Sequence, residues 1–297
     1  MERGTLSEGD RPRNSGESYV GTSGFSYQDW RGFFYPGEMQ PAEFLAFYAR
    51  HFRTCELNFT YYRIPDARTL GRMVEKSGGT VAFTLKAFQG MTHKRNATRE
   101  EISAFIEALS PLRDAGVCGA LLLQFPFSFK RGEKSLAYVD TLANHLRARW
   151  ADVPLVTEFR HRSWVSEASF AWLQARALGL CAVDEPRLEN LMPPVAVSTG
   201  PVGYVRFHGR NAEKWWNHDR PEERYDYRYP EAELRAWVPK IRAIAGASGK
   251  TFVFFNNHFQ AKAADNAREL VGLLAGAGET SGARGGPDRL DPPEGAG

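Results

Sequence analysis

The sequence predicts a single (β/α)8 barrel of the TIM type, and three observations carry that prediction. Eight short apolar runs are separated by segments with helical periodicity. Most of the runs are near-continuously apolar, the pattern of parallel strands covered on both faces. Nearly every run ends in polar or charged residues, and the C-terminal strand ends are where an α/β barrel carries its chemistry.

The first strand is predicted at Tyr19–Ser23, "YVGTS". Pro41 suits a first helical turn, and Phe44, Leu45, Tyr48 and Phe52 then form one face. Cys55–Thr60 is the second strand, and Asp66 is placed to cap a helix carrying Leu70, Met73 and Val74. After the third strand, Val81–Ala87, the spacing of Ile102, Phe105, Ile106 and Leu109 is that of an amphipathic helix. Gly119–Phe125 is the fourth strand, followed by the stripe Leu136, Val139, Ala143 and Leu146. Leu155–Phe159 is the fifth, and Phe170 and Leu173 lie on a helix that Gly179 is placed to close. The sixth, Leu180–Asp184, leads into a connection with four prolines (Pro186, Pro193, Pro194, Pro201) and no helical pattern; a loop or a short helical turn is expected there. Tyr204–Gly209 and Phe252–Asn257 complete the eight, with helical stripes at Leu234, Trp237, Val238, Ile241 and at Ala267, Leu270, Val271, Leu274. An open doubly wound sheet would want a G-x-G-x-x-G turn after the first strand, and "GTSGFSY" does not supply one.

The barrel is placed at residues 19–275. Residues 1–18 and 276–297 are polar, Gly- and Pro-rich, and read as disordered tails. A chain of 297 residues with 42% hydrophobic content can bury a large core. A net charge of +3 gives no support to nonspecific nucleic-acid binding. No run approaches the ~18 apolar residues of a membrane span, and the N-terminus lacks the apolar core of a secretory signal. The cysteines, Cys55, Cys118 and Cys181, are sparse and unpaired in sequence, which predicts buried, reduced thiols in a cytoplasmic protein.

The strand ends supply the candidate site. In order they carry Ser23; Glu56 and Asn58; Lys86; Gln124; Glu158, Arg160 and His161; Asp184; Arg206, His208 and Arg210; Asn256 and Asn257. Strand alternation puts Glu56 with Asn58, Glu158 with Arg160, and Arg206 with His208 on shared faces. Buried charges must be paired, so polar groups on so many strands predict a ring around one cavity. The competing reading is a scaffold of ion pairs. Trp30, Trp164 and the aromatic, charged segment Arg210–Pro230 are expected to wall the cavity.

Lys86, Arg160, Arg206 and Arg210 in the ring would repel a divalent cation, and no H-x-H or H-E-x-x-H spacing occurs, so no metal and no cofactor is expected. Acid–base chemistry on a small, anionic molecule fits better. Glu56 or Glu158 is the candidate base and His93 or His208 the candidate acid. Lys86, Arg206 and Arg210 hold negative charge, with Lys86 alternatively a Schiff-base lysine. The second reading is a nucleic-acid-binding or endonuclease-like barrel, with or without a metal, that stacks bases on Trp215, Trp216, Tyr225, Tyr227 and Tyr229.

The motifs "GTSGFSYQDWRGFFYP", "ELNFTYYRIP", "KAFQGMTH", "LLLQFPFSF", "EFRHRSW", "YVRFHGR" and "FFNNHFQAKAADNA" resemble those of the DUF72 (YecE-like) family across Val20–Ala267. The resemblance implies an α/β barrel and leaves the activity open, because that family has no known one. Its motif positions fall on Gly21, Ser23, Gly24, Tyr27, Trp30, Glu56, Asn58, Tyr62, Lys86, Thr92, His93, Gln124, Glu158, Arg160, His161, Trp164, Arg206, His208, Gly209, Arg210, Asn256 and Asn257. Phe25, Phe127 and "HFQAKA" depart from the family's usual residues.

Overall fold

The computed structural model describes residues 16–276. Eight parallel strands close into one barrel in sequence order: β1 (Glu17–Ser23), β2 (Thr54–Leu57), β3 (Ala82–Lys86), β4 (Cys118–Gln124), β5 (Leu155–Glu158), β6 (Gly179–Asp184), β7 (Val202–Phe207) and β8 (Lys250–Phe255). β8 pairs back onto β1, with Glu17 opposite Lys250 and Ser18 opposite Thr251. The first strand therefore starts two residues before its predicted place, inside the expected tail. The last helix likewise takes in Gly276. The rest of both expected tails lies outside the described residues.

The helices are α1 (Phe44–Tyr48), α2 (Phe59–Tyr62), α3 (Ala67–Lys76), α4 (Gln89–Thr92), α5 (Arg99–Ala108), α6 (Ser110–Asp114), α7 (Glu133–Arg147), α8 (Glu167–Gln174), α9 (Glu231–Ala247) and α10 (Lys262–Gly276). Local chemistry sets their starts. The Asp66 carboxylate accepts from the Arg68 N–H and caps α3. Thr98 and Glu101 form a reciprocal capping box on α5.

Every predicted strand shifts at one end or both, and two of the shifts have a local cause. β2 stops at Leu57 because Asn58 turns into the αR region and α2 begins at once. The Thr60 hydroxyl then donates to Lys86 O, which ties α2 to the end of β3. Gly179 does not close α8. The chain reverses at Ala177, which takes a positive φ of 48°, and Gly179 starts β6. The connection 185–201 contains no helix, in line with its prolines. The three cysteines are free, Cys55 and Cys181 fully buried and Cys118 partly so.

Alternation along each strand divides the core in two. Outward residues such as Phe207, Val205 and Leu123 pack under the helices, and inward residues fill the lumen. Phe252 crosses the lumen so closely that a Cβ on Gly119 would stand 2.6 Å from its ring. Around it the lumen is aromatic, with Tyr19, Tyr204 and Phe254 against the Phe252 ring, and it turns polar toward the C-terminal end.

Candidate functional site

β7 supplies the axis of the site. Its inward residues rise as Tyr204, Arg206 and, just beyond the strand, His208, and each meets a carboxylate from across the lumen. The Tyr204 hydroxyl donates to Glu56 Oε2 at 2.7 Å. Arg206 spans two strands, with Nη2 2.6 Å from Glu56 Oε1 and Nη1 2.7 Å from Glu158 Oε2. His208 Nε2 lies 3.1 Å from Glu158 Oε1, and Arg160 Nε lies 2.7 Å from the same oxygen. Arg160 also donates to Glu185 Oε2 at 2.9 Å. All four carboxylate oxygens of Glu56 and Glu158 are therefore engaged.

The charge states follow. Burial opposes ionisation of Glu158, but Arg206, Arg160 and His208 outweigh it and hold the carboxyl well below its usual range. Burial and Arg160 push His208 down to about 3, so it is neutral. A neutral ring facing an ionised carboxylate must carry its proton on Nε2. Nδ1 is then free to accept from Asn256 Nδ2 at 3.3 Å.

Lys86 differs from its neighbours. No carboxylate lies within ion-pairing distance of its amine among the described residues, and Nζ sits 4.1 Å over the Tyr61 ring. Burial and the charge of Arg206 lower it to about 7. Burial raises Glu185 to about 7 and lowers His93, which also feels Lys86 and Arg160, to about 4.

A cavity of about 390 Å³ opens above this ladder, lined by Tyr27, Asn58, Lys86, Gln124, Arg160, Arg206 and Asn256 and walled by Tyr61, Tyr62, Tyr225 and His258. It runs into a second space of about 300 Å³, where His93, Phe127, Trp215, Trp216 and Arg224 join Lys86 and Arg160. Ser23 Oγ reaches Arg206 Nη2 at 3.5 Å. Glu56, Glu158 and His208 stand beneath.

Six of the sequence-predicted site residues lie elsewhere. Cys181 faces the lumen, with its sulfur 3.9 Å from Glu158, so parity turns Asp184 outward. Asp184 there accepts from Arg210, Trp237 and Tyr229, which also removes Arg210 from the site. Asn257 points outward and donates to Tyr227 O and Asn266. Trp30 is fully buried and donates to the His258 carbonyl. Trp164 stacks on Phe159 with ring centroids 3.7 Å apart, under the helices. His161 accepts from the Ser163 N–H and caps a turn. The 210–230 segment is split: Trp215, Trp216 and Tyr225 reach the mouth, whereas Tyr227 and Tyr229 pack away from it.

Sequence reasoning missed Glu185, Tyr204, Tyr61 and Arg224. Tyr204 was legible, since it precedes Arg206 by two residues and shares its face. Glu185 was legible from the phase set by Cys181. Tyr61 gave no signal, because a helix follows β2 where strand was expected. Among the described residues, no three His, Cys, Asp or Glu side chains are grouped to hold a metal ion, and no helix is long and apolar enough to cross a membrane.

The profile of the family described as "Protein of unknown function DUF72" matches residues 19–289. The chain belongs to the DUF72 family. This DUF72 protein is 32% identical over 272 residues to the UPF0759 protein YunF of Bacillus subtilis (strain 168), covering 86% of this chain and 94% of that one. It is similar to the crystal structure of a DUF72 protein from Thermotoga maritima MSB8, with 36% identity, a TM-score of 0.79, and coverage of 87% of this chain and 99% of the other. A DUF72 protein from Enterococcus faecalis V583 gives 25% identity and a TM-score of 0.76, over 92% and 100% of the two chains. Membership confirms the resemblance read from the motifs and the barrel they imply, and brings no activity with it.

Proposed function

We propose that this DUF72 protein is a metal-independent enzyme acting on a polar, anionic small molecule, sugar- or phosphate-bearing, with Lys86 as its base or nucleophile. The observation that supports this is the contrast between Lys86 and its ring. Glu56, Glu158, Arg160 and Arg206 neutralise one another at 2.6–2.7 Å, while the Lys86 amine has no ion-pair partner among the described residues and opens onto the cavity. An amine lowered to about 7 is available in its neutral form at neutral pH. It can take a proton from a substrate or add to a carbonyl carbon.

The other roles follow from occupancy. Glu158 and Glu56 give all their oxygens to fixed donors, so they position Arg206 and Arg160 rather than move protons. These guanidiniums stabilise negative charge that develops beside the amine. Neutral His208 locks Glu158 from above. Gln124, Asn58, Asn256 and Tyr27 supply hydrogen bonds for substrate hydroxyls or oxyanions. Free thiols fit a reducing cytoplasm.

The test is turnover of a panel of anionic sugars, sugar phosphates and oxo acids, read by mass spectrometry, in wild type and Lys86→Met. Product formation lost in Lys86→Met at an unchanged or raised melting temperature supports the reading; turnover that survives the substitution rejects it. A nucleic-acid role draws on one feature, the exposure of Tyr62 (71%) and Trp216 (55%) at the rim. It requires binding of single strands that weakens steeply with salt and is lost in Trp216→Ala.

A further inference from the structure

Beside the mouth lies a larger cavity of about 540 Å³, between the segment after β1, α1 and α3. Its floor is apolar, formed by Phe25, Pro41, Leu45, Leu57, Phe59 and Met73. Its outer rim carries three exposed cations, Arg63, Arg72 and Lys76. No lining residue is acidic. None of the three cations has an ion-pair partner among the described residues. Arg72 makes only a 3.4 Å contact to the Thr69 hydroxyl, and Lys76 donates to Ala42 O.

Tyr27, Asn58 and Phe59 line both this cavity and the one above Lys86, so the two are neighbours across a shared wall. At that wall Asn58 Oδ1 is buried without a hydrogen-bond partner. A buried acceptor left unsatisfied is costly, and a ligand N–H or O–H crossing the wall would satisfy it.

We propose that this side cavity binds the distal part of an extended ligand: an apolar chain or ring system that ends in an anionic group at Arg63, Arg72 and Lys76. The volume suits an organic body rather than an ion alone. The apolar floor favours a hydrocarbon or aromatic portion. The uncompensated rim selects a phosphate, sulfonate or carboxylate at its outer end. A donor group in the link hydrogen-bonds Asn58 Oδ1 and leads the head toward Lys86. Only this last connection rests on the function proposed above; the side cavity stands by its own geometry.

The experiment is calorimetric titration of the full chain with octyl phosphate below its micellar range, with octyltrimethylammonium as the cationic control. Octyl phosphate is expected to bind one to one and the cation not to compete. Arg63→Glu with Arg72→Glu, two exposed changes that leave the core alone, should weaken binding by at least about tenfold. Met73→Trp should fill the floor and abolish binding, with its melting curve checking the fold. Lys86→Met should leave octyl phosphate affinity within about twofold, since the amine lies beyond the shared wall. Absence of binding, equal binding of the cation, or affinity unchanged in the Arg63→Glu, Arg72→Glu protein overturns the proposal. Loss of binding in Lys86→Met also overturns it, because the probe would then sit in the mouth. Turnover unaffected by Lys86→Met, with octyl phosphate binding intact, rejects the catalytic reading alone.

Discussion

Arg206 and Glu158, 48 residues apart, meet at 2.7 Å inside the lumen with both side chains closed to solvent. Glu158 also holds Arg160 and His208, so it is the most heavily shared group of the ladder. Replacing it with Gln keeps the shape and removes the charge, leaving two guanidiniums underpaired. Glu158→Gln is expected to lower stability by about 3 kcal/mol, within the range for breaking a buried pair. Urea unfolding measures it; a wild-type midpoint would mean that the carboxylate is not needed to balance the arginines.

The Lys86 amine gives a pH signature. Its ordinary value is 10.5 and in the fold it is about 7, because burial and Arg206 disfavour the charged form. Between pH 7 and 10.5 the unfolded chain binds the extra proton, so stability rises with pH through that window. The destabilisation is complete below pH 7 and gone above 10.5. Wild type compared with Lys86→Met should show this slope, and acylation of Lys86 should gain rate with a midpoint near pH 7. A midpoint near that of the exposed lysines would count against a lowered value.

Glu185 has the opposite sign. Burial raises it from 4.5 to about 7 against the pull of Arg160. Between these values the unfolded chain has lost the proton and the folded one keeps it, so this group's stabilisation is lost as pH rises from 4.5 to 7. Glu185→Gln retains an acceptor for the Met192 N–H and should flatten that slope. Thermal melts across pH 4.5–7 report it, and parallel curves for the two proteins would refute the raised value.

Asp184 separates architecture from chemistry. It takes a bidentate contact from Arg210 at 2.7 Å and the Trp237 N–H at 2.6 Å, on the outer face of the barrel. Asp184→Ala should cost about 3–5 kcal/mol, as removal of one partner from a buried pair does. Any ligand of the Lys86 cavity should still bind the folded fraction with wild-type affinity. Lys86→Met should show the reverse pattern.

The eight strands were legible because each is an apolar run, and the inward phase of β2, β5 and β7 was legible because polar residues recur there at a spacing of two. Phase failed on β6. The eye is drawn to Asp184 at the end of "LCAVD", while the inward residue is Glu185, one place later, where the apolar run has ended. Trp30 and Trp164 illustrate a different limit. Each neighbours a polar cluster in sequence, but each ring is fully buried against other aromatics, Trp30 on Tyr27 and Tyr35 and Trp164 on Phe129 and Phe159. The departure of Asn257 from the site has the same cause as that of Asp184: its neighbour Asn256 takes the inward phase. The placement of Tyr61 depended on α2 beginning directly after Asn58, which apolar patterning alone does not announce.

The ladder from Tyr204 to His208 also constrains how the chain can be divided. Arg206 comes 150 residues after Glu56, and until β7 arrives the carboxylates of β2 and β5 have no guanidinium from β7 between them. A fragment holding only the first six strands would keep the Glu158–Arg160 pair but leave Glu56 without its guanidinium. Intermediates of that kind gain little from compaction, because the loop entropy is lost before the compensating contact forms. The polar interior thus ties the late strand β7 to the early strand β2, and the first six strands alone are expected to be less stable than the whole barrel.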